Sequence, residues 1–372
     1  MRIAHIDTGR EWRGGQAQVL LLLEGLRRGG HDLIVVAPDA ALARRAREQG
    51  FDWLPFETRG DLDLGGTQRL FRLLEAWRPQ LLHAHTARAH TVARGAGPRL
   101  GAPLIVSRRV VTAIARNPFS RRKYLSGVAR YLCISHAVMD VLRRGGVADH
   151  RLAWVPSAVD LEALSVVRGR VAEFQSGSPL RDELGASTED LLFGTAGAVT
   201  RDKGVDEFAS AAAWVIERHP HARAVWIGEG RDRNRLERRA ARLGLGSRLR
   251  VLGFRADAHE CIAQLDVFVS ASRHEGLGSA ILEAQALGVP VIATDSLGVR
   301  DSIEDGVNGR LVADSVALGD RLSDALGDRA TLERWRDRAL DSVQLFSPAG
   351  MLARTLAEYA SVRAEHLVTT AD

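Results

Sequence analysis

The sequence predicts two α/β domains, each built from parallel βαβ units. Short β-branched or apolar runs alternate with longer stretches of helical period. The alternation lapses after residue 160 and restarts after Asp190. Between the two series, residues 161–179 hold Ser165, Gly169, Gln175, Ser176, Gly177, Ser178 and Pro179 without a clear period, which reads as a linker.

Composition fits this reading. The 372 residues suffice for two domains. With 45% hydrophobic and 26% charged residues, intrinsic disorder and fibrous repeats are excluded. No apolar run reaches the ~18 residues that span a bilayer. The first apolar run, residues 3–6, is too short for a signal peptide, so a cytoplasmic protein is expected. Cys133 and Cys261 cannot form a disulfide framework and read as buried thiols.

In the first series, strands are expected at 2–7, 33–37, 81–84, 104–106, 131–134 and 152–155. Helical stretches between them include 16–28, 40–49, 67–77 and 136–144. The second series places strands at 191–196, 224–227, 249–252, 267–269, 289–293 and 309–312. Its helices include 205–217, 232–243 and 280–287, and the tail is helical over 331–340 and 347–359.

Charge is uneven. Residues 1–165 carry 25 Lys and Arg against 15 Asp and Glu, a net of +10; the remainder carries 26 against 31, a net of −5. A basic first half suits an anionic partner, and a solvated arginine-rich surface is the alternative. Lys123 and Lys203 are the only lysines.

Ligands of parallel sheets sit at the carboxyl ends of strands, so the loops there carry the information. The first is TGREWRGGQ, where Gly14 and Gly15 let backbone approach a ligand at a helix start. A tight turn is the alternative. The second is His83-Ala-His85-Thr86, with His85 at the loop start; a metal pair there lacks a third ligand nearby in sequence. In the third, AGAVTRDKG, Arg201 and Lys203 stand at a helix N-terminus, where the dipole disfavours cations unless an anion joins them. Phosphate is the favoured anion. The fourth is SRHEGLGSAILE: Gly276 and Gly278 flank a helix start near Ser279, an anion cradle. Glu283 lies one turn into that helix, within reach of ribose hydroxyls near a cradled phosphate. Glu275 precedes the glycines and can face another part of the ligand. The fifth, residues 296–298, adds a further glycine loop. Neither G-x-G-x-x-G nor G-x-x-x-x-G-K-S/T occurs.

Taken in order, these loops resemble the retaining nucleotide-sugar glycosyltransferases of family 4, which have the GT-B fold. The strongest match is the E-x(7)-E spacing of Glu275 and Glu283 in HEGLGSAILEAQALGVPVIATD. IEDGVNGRLV, WVPSAVD and CISHAV are similar to further family segments in the expected order. The resemblance implies two Rossmann-like domains facing a cleft. Residues 1–165 would form the acceptor-side domain, with the helix in 345–372 packing back on it; 166–344 would bind the donor. It implies catalytic roles for His85, Glu275, Arg201 and Lys203. It implies donor contacts from Gly15, Arg201, Lys203, Gly276, Leu277, Gly278, Ser279, Ala280 and Glu283, with Glu283 on the ribose. It also implies a nucleotide-diphosphate sugar as donor substrate, no cofactor and no metal. Two departures stand out: Ala198 occupies the place of the family's usual arginine, with Arg201 three residues later, and Ser157-Ala158 replaces the usual Asn-Gly.

The opening HIDTGREWRGGQAQVL and SRRV at 107–110 resemble enzymes of lipopolysaccharide and surface-glycan assembly. That implies a glycan or lipid-linked acceptor and peripheral attachment to the inner face of the cytoplasmic membrane. Arg108, Arg109, Arg121, Arg122 and Lys123 are the residues for that contact. An epimerase or phosphorylase on the same architecture is the alternative. A nucleic-acid-binding protein is disfavoured, because the basic residues are dispersed and no aromatic-rich strand accompanies them.

Overall fold

β-branched and leucine-rich runs of three to six residues form thirteen parallel strands in two sheets in the computed structural model, which describes residues 1–60, 63–174 and 178–371. The first series runs β1 (Arg2–Ile6), α1 (Gly14–Arg28), β2 (Asp32–Ala37), α2 (Ala41–Glu48), β3 (Asp52–Pro55), α3 (Leu64–Leu74) and β4 (Leu81–Ala84). It continues through α4 (Ala87–Leu100), β5 (Leu104–Arg108), α5 (Pro118–Leu125), β6 (Arg130–Cys133), α6 (His136–Arg144) and β7 (Leu152–Trp154). The second comprises α7 (Leu161–Ala172), α8 (Pro179–Leu184), β8 (Leu191–Ala196), α9 (Val205–Arg218), β9 (Ala222–Ile227), α10 (Arg233–Arg242), β10 (Leu249–Gly253) and α11 (Ala258–Ala263). After these come β11 (Val267–Ser270), α12 (Ser279–Ala286), β12 (Val291–Thr294), β13 (Arg310–Val312), α13 (Ser315–Leu326), α14 (Arg329–Ser342) and α15 (Pro348–Ala371).

The chain divides into two units: Met1–Ala158 with Pro348–Asp372, and Val159–Ser347. In the first, the strand order is β3-β2-β1-β4-β5-β6-β7; in the second it is β10-β9-β8-β11-β12-β13. Each sheet therefore reverses its winding once, between β1 and β4 and between β8 and β11. Connections that leave in opposite directions open a crevice there, at the carboxyl ends of the strands.

Two sequence expectations need correction. β3, DWLP, was not foreseen. It is a four-residue edge strand with half-exposed side chains, so it lacks an apolar signature. Residues 161–172 are not a linker but helix α7, started by Asp160, whose side chain accepts from Ala163 N at 3.1 Å. Leu164 and Val167 are its buried residues, too few to give a clear helical period. Of the supposed linker, Gln175, Ser176 and Gly177 lie outside the described residues.

In the first unit, Val19, Leu23 and Leu26 of α1 pack with Ile3, Val35 and Leu81 of the sheet. The tail returns to this unit: α15 packs on α1, and Met351, Tyr359 and Val362 join the same core. Gly25 permits that approach, since a Cβ there would lie 3.0 Å from Leu352 Cδ2. In the second unit, Phe193, Phe208 and Trp226 anchor a separate core, with Phe208 and Trp226 edge to face at 5.3 Å. Cys133 and Cys261 are free and buried; burial pushes their thiols up to about 12 and about 11.

Candidate active site

In the first unit, the residues flanking the β1/β4 crevice are mostly buried. His5 on β1 is in register with His83 on β4, and His85 follows as the strand ends. His85 N still donates to Ile6 O, so its ring comes back beside the sheet and lies 4.0 Å from that of His83, centroid to centroid. His5 stacks on His85, with Nδ1 3.0 Å from His85 Nε2. Arg109 donates to His85 O at 3.3 Å and sets Nη2 3.5 Å from His85 Nδ1. A guanidinium only donates, which assigns the tautomers. His85 Nδ1 is bare, Nε2–H donates to His5 Nδ1, and His5 carries its proton on Nε2. That Nε2 is buried without a partner.

Burial drives the titration of this cluster. It lowers His5 to about 3, with His31 adding to the effect, and takes His83 and His85 well below the ordinary imidazole value. Burial also pushes Asp7 up, against bonds from Gly9 N at 2.6 Å and Gln16 Nε2 at 3.3 Å. Arg109 is pushed down to about 10 by burial, with Asp7 pulling the other way.

His5, His83 and His85 place one nitrogen each within 4.8 Å of the others, so the third imidazole comes from another strand. They are bonded internally, however. His83 Nδ1 is 2.6 Å from Tyr359 Oη on α15, and its Nε2 is 2.8 Å from Ser107 Oγ. Of the ring nitrogens only His5 Nε2 is left without a partner, so a metal held by all three rings would have to displace existing bonds.

Gly15 lies near Arg109, whose Cδ would be 3.9 Å from a Cβ there. Thr8 Oγ1 meets Thr86 Oγ1 at 2.6 Å, tying the loops after β1 and β4 together. Arg10, Glu11, Arg13, Glu57 and Arg88 line an open cavity of ≈ 620 Å³ beside them. Arg108 is buried, with donors given to Tyr124 Oη at 3.1 Å and Thr112 O at 2.7 Å. Arg121 and Arg122 are exposed on α5, and Phe119 beside them is 75% exposed. Lys123 donates to Ala87 O at 2.7 Å. Ala158, where the family has glycine, is buried; its N–H and C=O are both bonded by the Gln18 amide at 2.7 Å.

In the second unit, the loops after β8 and β11 meet across that sheet's crevice. Gly204, with φ of 78°, caps α9, and a Cβ there would lie 1.9 Å from Ala271 O. Only glycine allows both the left-handed backbone and the contact. The preceding turn holds Arg201 and Lys203. Arg201 N donates to Asp232 Oδ2 at 3.0 Å, while its side chain is largely exposed. Lys203 forms a salt bridge with Glu275, and Ser272 Oγ donates to the same carboxylate oxygen at 2.8 Å.

Gly278, with φ of 82°, caps α12 without any side-chain bond. No acidic residue stands in that first turn, so the amides of Ser279 and Ala280 begin a helix with an uncompensated positive end. Leu277 is buried, and its carbonyl accepts from Ser302 Oγ at 3.3 Å, which holds the glycine loop from behind. Gly298 packs on the same loop: a Cβ there would sit 2.2 Å from Glu275 O. Glu283 is partly exposed and faces His259 at 3.6 Å. The structure thus brings Arg201, Lys203, Glu275, Gly276, Gly278, Ser279, Ala280 and Glu283 to one sheet edge. Sequence reading missed Asp232, Ser272, His259 and, in the first unit, His5, Asp7 and Tyr359. Asp7, at the end of the first strand, could have been found from its position.

Residues 12–163 match the family described as Glycosyltransferase Family 4, and residues 178–341 match Glycosyl transferases group 1. The chain belongs to glycosyltransferase family 4, with the GT-B fold. It is 36% identical over 145 residues to the putative glycosyltransferase EpsD of Bacillus subtilis. It is 34% identical over 122 residues to the lipopolysaccharide core biosynthesis glycosyltransferase LpsE of Rhizobium meliloti. The matches take 38% and 32% of this chain and span only 38% and 36% of those two relatives. The structure of Anabaena HepE in complex with UDP and glucose aligns with a TM-score of 0.82 at 19% identity, over 97% of this chain and 100% of that one.

Proposed function

We propose that the chain transfers a sugar from a nucleotide-diphosphate sugar to a glycan or lipid-linked acceptor with retention, in surface-glycan assembly. One observation carries the donor half: Lys203 and the uncapped N-terminus of α12 converge at the winding reversal of the second sheet. Breaking the sugar–phosphate bond puts negative charge on the departing diphosphate. Lys203, Arg201 and the amides after Gly276 stabilise it as it develops, which lowers the barrier electrostatically. Glu283 binds the ribose hydroxyls, and Glu275 stands next to the sugar. His85, with both nitrogens engaged inside the fold, acts as a placed ring at the edge of the first-unit crevice.

The acceptor reading is supported by the named activity of relatives such as LpsE and by the basic first unit. Its cations are the exposed Arg121 and Arg122, whereas Arg108 is buried with bonds to Tyr124 and Thr112, and Lys123 donates to Ala87 O.

The test is incubation with a panel of nucleotide sugars and lipid-linked or glycan acceptors. Release of nucleoside diphosphate with a new glycosidic bond, its anomeric configuration kept by NMR, is the expected result. A changed sugar still attached to nucleotide would instead indicate an epimerase.

A further inference from the structure

Glu283 does not stand alone. His259, on α11, sets Nε2 3.6 Å from Glu283 Oε2, and α11 packs on α12, α7 and β8. The other charged groups around this imidazole have nearer partners. Glu260, on the same helix, pairs with Arg170 of α7 at 2.7 Å. Asp257 pairs with Arg255 at 2.7 Å, and Arg255 reaches Glu183 at 2.8 Å. β8 brings no charged residue. Glu283 is thus the carboxylate that His259 engages directly.

We propose that His259 is a positioning residue for Glu283: its imidazole holds Oε2 and turns the rest of the carboxylate toward the ribose hydroxyls of the donor. This rests on the reading of Glu283 as the ribose carboxylate. A carboxylate on a flexible stem loses rotamer freedom when it grips a ligand, and a partner that fixes it beforehand removes part of that loss. The Glu283 carboxylate raises His259 above its ordinary value, with burial opposing and Glu260 adding to the rise. The imidazole is therefore charged on the acid side of neutrality and loses its charge as pH rises. Donor affinity falls in the same direction.

The experiment is calorimetric titration of UDP-glucose, GDP-mannose, ADP-glucose and dTDP-glucose against wild type, His259→Ala, His259→Lys, Glu283→Ala and the double variant, between pH 6 and pH 8. His259 is half-exposed, so its variants keep the fold, which thermal melting verifies. For whichever sugar nucleotide binds, His259→Ala weakens affinity roughly three- to tenfold at pH 6 and flattens the pH dependence. His259→Lys keeps affinity and loses the pH dependence. In the Glu283→Ala background, His259→Ala adds nothing. If Glu283→Ala binds like wild type, or none of the four sugars binds wild type, the ribose reading falls and takes this proposal with it. If Glu283→Ala is weak but His259→Ala matches wild type at every pH, the proposal alone is overturned. An equal loss from His259→Ala in both backgrounds also overturns it, because His259 then acts on the donor without Glu283.

Discussion

Lys203 Nζ and Glu275 Oε1 hold each other across the crevice of the second sheet, with Ser272 Oγ bonded to the same carboxylate oxygen. A cation at the start of α9 opposes the helix dipole, and Glu275 compensates it from the loop after β11. The two glutamates of the E-x(7)-E spacing, eight positions apart, thus have different partners: Glu275 faces Lys203, while Glu283 faces His259. On the proposed function, a diphosphate entering this site would compete with Glu275 for the ammonium.

Lys203→Ala is therefore expected to cost turnover more than folding. A preorganised donor to a developing oxyanion contributes roughly 10²–10³ in rate, and kcat should fall on that scale. The salt bridge is partly exposed and contributes at most about 1 kcal/mol to stability. Parallel measurement of kcat and Tm decides. Full turnover, or a Tm collapse with turnover per folded molecule unchanged, would make the lysine structural.

The His5/His83/His85 cluster predicts acid sensitivity of the first unit. Its imidazoles stay neutral when folded, yet take up protons near pH 6.5 when unfolded. Between pH 6.5 and about 3, the value of folded His5, the unfolded chain binds more protons. Stability therefore rises with pH through this window and is lost as pH falls, by at most about 1.4 kcal/mol per pH unit for each such histidine. Asp7, pushed up by burial, titrates with the opposite sign. The comparison that isolates the effect is wild type against His5→Asn: Tm should fall less steeply below pH 6.5 in the variant. Parallel curves would assign acid sensitivity elsewhere.

Much of this was legible in the sequence. The parallel βαβ build of both sheets follows from the alternation of short apolar runs with helices, and Gly204 and Gly278 mark the loops by their chemistry. Three things were not. β3 is an edge strand whose half-exposed residues show no period. α7 buries only Leu164 and Val167, and its other apolar residues, such as Val166, face outward, so no amphipathic period stands out. His5 and Tyr359 meet the His83–His85 pair only through strand pairing and the return of α15, at separations of about 80 and about 275 residues, which no local pattern reports.

Metal independence is the third expectation. On the proposed function, Arg201 and Lys203 would supply positive charge where the departing diphosphate gathers its own, which would replace a divalent ion. Activity should survive dialysis against EDTA and gain little from added magnesium or manganese. Abolition by the chelator with recovery on magnesium would refute this role for the pair.

The last prediction concerns the basic first unit at an anionic membrane. No helix among the described residues is long and apolar enough to cross a bilayer, and the attachment proposed is peripheral. α5 offers the means: Arg121 and Arg122 are exposed, and Phe119, exposed to 75%, stands within one turn of both. Each cation near an anionic surface contributes ~1 kcal/mol, decaying over a Debye length of about 8 Å at physiological salt. Two arginines and one aromatic ring then give reversible binding. Lys123 should add little, because its ammonium already donates to Ala87 O. In co-sedimentation, recovery should require vesicles with anionic lipid and fall with added salt. It should drop for Arg121→Ser with Arg122→Ser and for Phe119→Ser, but stay close to wild type for Lys123→Ser. Equal recovery on neutral and anionic vesicles at low salt would remove this role from the charge split.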